Sequence, residues 1–274
     1  MSHLVQRRLG LETDLLVKPA SMLVRRHSDA LVVLRTPGRD DFWFGNVLIL
    51  PAAPAPQTLG SLLERWRDEF AHAPGVSKTV LLWEAAHDAS RADEPALESA
   101  ATEHALAFEC NLVLRLARRP AQPAQARVPM AARPVESDED WAAVLQVATP
   151  RDAPPGQRAF IEWRQAEYRR LVQAGSGHWW LGEVDGEIVS SAGIFWDEGG
   201  RVARFQRVDT AEHARGQGCC TALISAMVVD TCRRLPRLQD CVIVAERGTQ
   251  AERIYRRVGF DSYSRQNAIW GDRV

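Results

Sequence analysis

The chain has 274 residues, 46% of them apolar, with 34 basic against 35 acidic side chains and a formal net charge of −1. That is room for two ordinary domains with real cores, and a near-zero charge with arginines scattered among acids argues against nucleic acid or an anionic membrane surface as partner. No stretch is apolar for long enough to cross a bilayer, residues 1–8 lack the apolar centre of a secretory leader, and five cysteines without Cys-x-x-Cys pairing or metal-ligand spacing point to reduced thiols and a cytoplasmic setting.

In chain order, the N-terminal half reads as a strand over Phe42–Leu50, a helix over Leu59–Phe70 and a strand over Thr79–Trp83. A helix over Ala96–Leu106 then runs into a strand over Phe108–Leu116. The proline-punctuated stretch 118–128 has no apolar period and forbids a continuing helix, so it reads as a linker between residues 1–117 and 129–274.

In the second half, Ser137-Asp138-Glu139-Asp140 supplies capping residues for a helix through Val147. A longer helix, Gln157–Ala174, follows Pro154-Pro155 and stops at Gly175-Ser176-Gly177. Strands Trp179–Val184 and Glu187–Trp196 are joined by Asp185-Gly186, a hairpin signal, and Arg201–Val208 reads as a third strand. Next come the turn Arg215-Gly216-Gln217-Gly218-Cys219-Cys220 and a helix with Cys220, Leu223, Ile224, Met227, Val228, Thr231 and Leu235 on one face. Asp240–Ala245 reads as a strand, Ala251, Ile254, Tyr255 and Val258 as one helical stripe, and Asp261–Trp270 as a closing strand or hairpin.

The glycine turn is the most informative feature. Placed between a strand and a helix, it presents successive backbone N–H groups to an anion, with Arg215 adding a permanent charge. The N-terminal half echoes the same order of elements, which suggests a divergent internal repeat. Where the second half has its glycines, however, the first has Pro51-Ala52-Ala53-Pro54-Ala55-Pro56, whose prolines have no N–H to give, and the position parallel to Tyr255 is Glu103. The N-terminal copy therefore reads as one without a cofactor site.

The Arg215–Cys220 turn, followed by Ala251-x-x-x-Tyr255 and Gly259-Phe260, resembles the GNAT acetyltransferase superfamily, and the whole chain resembles a tandem GNAT protein with a degenerate first domain. The resemblance implies an α/β (α+β) fold with a mixed, mostly antiparallel central sheet flanked by helices, and two such domains in tandem. It further implies that two central strands, Arg201–Val208 and Asp240–Ala245, part to admit acetyl-CoA. The pantetheine arm would run near Gln206 and Val208, and the pyrophosphate would sit on the N–H groups of Arg215, Gly216, Gln217, Gly218, Cys219 and Cys220. The family pattern is broken at Cys220, where a smaller residue is usual, and at Gly248, where an asparagine is frequent.

Acyl transfer to an amine needs a neutral amine, a stabilised oxyanion and a proton for the departing thiolate. By resemblance Tyr255 supplies that proton. The predicted strand Arg201–Val208 carries no carboxylate, so Glu246 is the candidate base, with Glu183 or water as alternatives. The function expected is acetyl transfer from acetyl-CoA to the primary amine of a small molecule or peptide, by a monomer, with a homodimer as alternative. A non-catalytic acyl-CoA sensor is the competing reading. A dinucleotide oxidoreductase is disfavoured because no complete Gly-x-Gly-x-x-Gly follows an early strand. Cys219 and Cys220 lack a nearby base and read as packing. Trp179, Trp180 and Trp196 read as strand core before pocket wall, and His178 and His213 have no ligand spacing.

Overall fold

The computed structural model describes residues 7–274. In chain order its elements are α1 (Leu9–Asp14), β1 (Leu23–Arg26), β2 (Val32–Arg35), β3 (Val47–Ile49), α2 (Leu59–Glu69), β4 (Lys78–Ala86), α3 (Glu94–Glu103), β5 (Leu106–Leu116), β6 (Ala131–Pro134), α4 (Asp138–Ala148), α5 (Pro155–Gln173), β7 (Gly177–Val184), β8 (Glu187–Trp196), β9 (Val202–Thr210), α6 (Cys219–Arg234), β10 (Asp240–Glu246), α7 (Gln250–Val258) and β11 (Phe260–Asp272). They form two compact units. The first comprises residues up to Glu12, Lys18–Val113 and Tyr263–Val274, and the second comprises Thr13–Val17 and Leu114–Ser262. The stretch 118–128 thus lies inside the second unit, and the closing strand from Tyr263 onward lies in the first.

In the first unit β1, β2, β3, β4 and β11 lie side by side. β1–β2 and β2–β3 are antiparallel, β3 and β4 are parallel through Leu48↔Leu81 and Ile49↔Leu82, and β11 runs antiparallel to β4 from Ser264↔Ala86 to Asp272↔Lys78. The amphipathic α2 buries Leu59, Leu63 and Trp66 in a core with Leu48, Leu81, Trp83, Leu97 and Ile269. The expected strand Phe42–Leu50 is shorter than its composition suggests because Trp43–Gly45 form a tight turn. Buried Asn46 holds that turn: its side-chain oxygen accepts from Thr36 N–H at 3.0 Å, and its amide donates to the carbonyls of Arg39 and Phe42. A side chain competing for backbone partners ends regular pairing. The helix expected to reach Leu106 stops at Glu103, since Ala105 turns left-handed at φ +58° and Leu106 already begins β5.

In the second unit β6, β7, β8 and β9 form an antiparallel run, and β10 joins β9 in parallel. Asp185 (φ +51°) and Gly186 (φ +82°) make the two-residue hairpin between β7 and β8 that the Asp-Gly pair predicts. On one face α4 and α5 cover an aromatic core of Trp141, Tyr168, Trp179 and Phe195. α6 packs Leu223, Ile224, Met227 and Val228 inward. The sheet is mixed and mostly antiparallel, as expected. Each unit contains one parallel strand pair bridged by a loop and a helix, β3–α2–β4 and β9–α6–β10.

The N-terminus of α4 shows how local chemistry fixes this unit. Ser137 Oγ accepts from Asp140 N–H at 3.1 Å, and Asp140 accepts from the N–H groups of Glu136 and Ser137. Both Asp140 oxygens also take Arg133 guanidinium N–H groups, at 2.7 and 2.8 Å. The Arg133 hydrogen bonds, aided by the backbone N–H of Glu136, lower the Asp140 carboxyl from 3.8 to about 2. Asp140→Ala removes the side-chain half of the capping box and the bidentate pair together, leaving the Ser137 cap in place, and should cost about 2 kcal/mol in urea titration at pH 7. Because the folded pKa is depressed, that contribution is complete above the ordinary carboxylate value and is lost as pH falls towards 2. The gap between wild type and variant should close over that window.

Candidate cofactor and active site

β9 and β10 are paired only over Val202↔Asp240, Ala203↔Cys241 and Arg204↔Val242. β9 continues to Thr210 and β10 to Glu246, so their far ends part. Along the same stretch β9 keeps its other neighbour: Gln206 pairs with Gly193 of β8 and Asp209 with Ser191. Between these positions β9 carries one extra residue, and Arg207 adopts a left-handed φ of +51°. The bulge breaks the up-down alternation of the strand. Val208, Asp209 and Thr210 consequently all line one cavity.

That cavity, about 1280 Å³, is bordered by the end of β9, the start of β8, the glycine turn, the end of α4 and the face of α7. The turn enters α6 through Gly218, the N-cap residue, at φ +85°. Gly218 has no side chain to cap the helix, which leaves the N–H groups of Cys219, Cys220 and Thr221 without intrahelical acceptors. Arg215, Gly216, Gly218, Cys219 and Cys220 border the cavity. Positive helix end, uncapped N–H groups and a guanidinium together make an anion site, and this arrangement fits the pyrophosphate of a nucleotide-type cofactor.

The opposite wall holds Tyr255, 6% exposed, on α7. Burial, more than the neighbouring charges of Cys220 and Asp209, raises its phenol above the ordinary value, so the hydroxyl stays protonated at physiological pH. Cys220 is hydrogen-bonded with Thr210, and burial pushes its thiol up to about 12. At physiological pH the thiol is therefore held protonated. Asp209 pairs with Arg207 Nε at 3.0 Å, while Arg207 Nη2 donates to Ala148 O at 2.8 Å. Burial nevertheless raises the Asp209 carboxyl, with Arg207 and Arg215 opposing the shift.

The structure distributes the expected site residues unevenly. Val208, Arg215, Gly216, Gly218, Cys219, Cys220 and Tyr255 come together around the cavity. The backbone N–H of Arg215 already donates to Glu212 O at 3.2 Å, and its Nε donates to Thr210 O at 3.3 Å. Gln217 holds the turn, donating to His213 O and accepting Arg127 N–H through its carbonyl. The Gln206 side chain donates to Tyr168 Oη at 2.9 Å and accepts from Arg204 Nε, in a half-buried polar chain, and Gln206 does not border the cavity. Glu246 is exposed at the end of β10, its carbonyl accepting from Thr249 Oγ1, and it does not border the cavity. Glu183 sits 3.5 Å from Arg133. Four carboxylates border the cavity, those of Asp152, Glu187, Asp209 and Glu212; Asp209 is the one on β9, and sequence reasoning missed it because the strand was expected to end at Val208. Trp179 is 2% exposed within the core.

Comparison with known families matches residues 175–262 to the acetyltransferase (GNAT) domain. A comparison with curated proteins finds no match. Among solved structures, a functionally unknown conserved protein from Staphylococcus epidermidis aligns over 96% of this chain and 97% of its own at 13% identity, with a TM-score of 0.70. A GCN5-related N-acetyltransferase from Kribbella flavida aligns over 96% and 93% at 21% identity and a TM-score of 0.59. A tandem GNAT protein from the clavulanic acid biosynthesis pathway aligns over 94% and 85% at 13% identity and a TM-score of 0.56. At these identities the structures establish the fold, and the domain match, which spans the parted strands, the glycine turn and Tyr255, places an acetyltransferase (GNAT) domain at residues 175–262, within the second unit.

Proposed function

We propose that the second unit transfers an acetyl group from acetyl-CoA to the primary amine of an acceptor, bound together with the donor. The observation that carries this reading is the loss of pairing between β9 and β10 beyond Arg204 and Val242, beside an uncapped helix start. The free edge of β9 suits an amide-bearing pantetheine arm, laid along it as an added strand. The turn from Gly216 to Cys220 suits the pyrophosphate. When bound, acetyl-CoA supplies an acyl group activated as a thioester. Asp209 is the base that takes a proton from the acceptor's ammonium group, and burial brings its affinity for that proton closer to the working pH. The Tyr255 hydroxyl, kept protonated by burial, is the donor facing the departing sulfur. The first unit, whose turn at Pro51–Pro56 offers few N–H groups, acts as a copy without a cofactor site.

Calorimetry of acetyl-CoA against the full chain should give micromolar binding at about one site. No heat from a folded chain overturns the reading. Tyr255→Phe separates the enzyme from a sensor. Since thiolates leave readily, turnover should fall by about 10- to 100-fold, at or below the low end for general acids, with acetyl-CoA affinity within about twofold of wild type. An unchanged rate would take Tyr255 out of the chemistry.

A further inference from the structure

The stretch 118–128, read from sequence as a linker, is a strap fixed at three points, one on α6 and one beyond each of its ends. Arg119 Nη2 donates to Leu238 O just past the helix, at 2.7 Å. Ala124 N–H donates at 2.8 Å to Ser225 Oγ, on a residue only 2% exposed. Arg127 N–H donates to Gln217 O, also at 2.8 Å, directly on the glycine turn. Flanking Ala126 and Val128 pack against Val189, Ala214 and Cys219, so the backbone at Arg127 is held from both sides. The strap lies against the turn: a Cβ on Gly218 would stand in ordinary contact with Ala126 Cα at 3.4 Å and Arg127 N at 3.5 Å.

The Arg127 side chain is exposed and borders the same cavity as Arg215, Gly216 and Cys219. Among the described residues no side-chain hydrogen bond or ion pair of Arg127 is found. Arg215 is differently placed, bonded through Nε to Thr210 O and drawn electrostatically to Asp209. A cation with its backbone fixed at an anion-binding turn, and no protein acid to neutralise, calls for an anionic ligand. We infer that Arg127, carried by the strap, is a second phosphate-binding cation of the cofactor site. The inference rests on the acetyl-CoA reading above and adds to it a ligand from outside the turn and its helix. The phosphate it meets belongs either to the pyrophosphate or to the 3′-phosphate of CoA.

The test is calorimetry of the full chain and of Arg127→Ala with CoA, 3′-dephospho-CoA and S-acetylpantetheine. The substitution keeps the backbone bond to Gln217, so the melting temperature should stay within about 2 °C. Arg127→Ala should weaken CoA about tenfold, and its log Kd should depend less steeply on log salt concentration, while S-acetylpantetheine is unaffected. Equal losses for CoA and 3′-dephospho-CoA would support contact with the pyrophosphate, and a loss confined to CoA would support contact with the 3′-phosphate. CoA affinity within twofold of wild type overturns the inference while leaving the acetyl-CoA reading intact. Failure of the wild type to bind any of the three overturns both. Arg127→Lys, which keeps the charge without the fork, should fall between wild type and alanine.

Discussion

Gly218→Glu is expected to raise the dissociation constant for acetyl-CoA by about a thousandfold or more, close to 4 kcal/mol. Backbone strain and charge act together. Gly218 sits at φ +85°, where a side chain costs about 1–2 kcal/mol, while a Cβ there would only reach ordinary contact with Ala126 and Arg127. Charge contributes more, because a carboxylate would occupy the positive end of α6 and compete for the N–H groups that the turn offers to phosphate. Gly218→Ala separates the two, since it carries the backbone strain without the charge and should lose roughly tenfold. Calorimetry on both variants, with circular dichroism to verify folding, reads the outcome. Retained micromolar binding by a folded Gly218→Glu would place the anion site elsewhere.

Asp209→Asn should lower kcat by about 100- to 1000-fold, in the range expected for loss of a general base. Asparagine can still accept the Arg207 Nε hydrogen bond, so the bulge should persist and acetyl-CoA should bind normally. Wild-type activity should fall on acidification through a pKa above the ordinary carboxylate range, and the variant should lose that acidic limb. Stability moves the other way. A carboxyl whose folded pKa is raised contributes most below its unfolded value, and that contribution is lost as pH rises through the folded one. At pH 7.5 the variant should therefore melt no lower than wild type. A rate within threefold of wild type would return the base role to solvent or to the acceptor itself, and a large drop in melting temperature would assign Asp209 to structure.

The second unit was legible in the sequence where local chemistry decides. The Asp185-Gly186 hairpin and the Ser137–Asp140 cap form as their spacing predicts, and the α6 stripe buries Leu223, Ile224, Met227, Val228 and Thr231, with Leu235 just past the helix and Cys220 only partly buried. What stayed hidden depends on register or on distant partners. The extra residue beside Arg207 shifts β9 by one position, and one position decides whether Asp209 meets solvent or the cavity. β1 and β6 are short strands, of four residues each, and a run that short carries too little alternation to read. Proline and alanine spacing in 118–128 rightly denies a helix there, but it holds no sign that Ala124 and Arg127 bond to Ser225 and Gln217. The expectation at Gln206 concerns the strand edge, and nothing in the spacing announces that its side chain bonds to Tyr168 and Arg204.

The pairing of β4 with β11 bears on the order in which this chain acquires structure during synthesis. Lys78 and Asp272 are partners 194 residues apart, and the buried Glu84 receives the hydroxyl of Ser264 across a similar span. Domains usually mature from the N-terminus as they leave the ribosome. Here the unit that is translated first must wait for residues 264–272 before its sheet has its full set of strands. Until then β4, with Leu82 and Trp83 at its centre, offers an open edge to any strand that reaches it. Slow translation or a ribosome stalled before residues 264–272 are made should thus be more hazardous to the first unit of this protein than to the second.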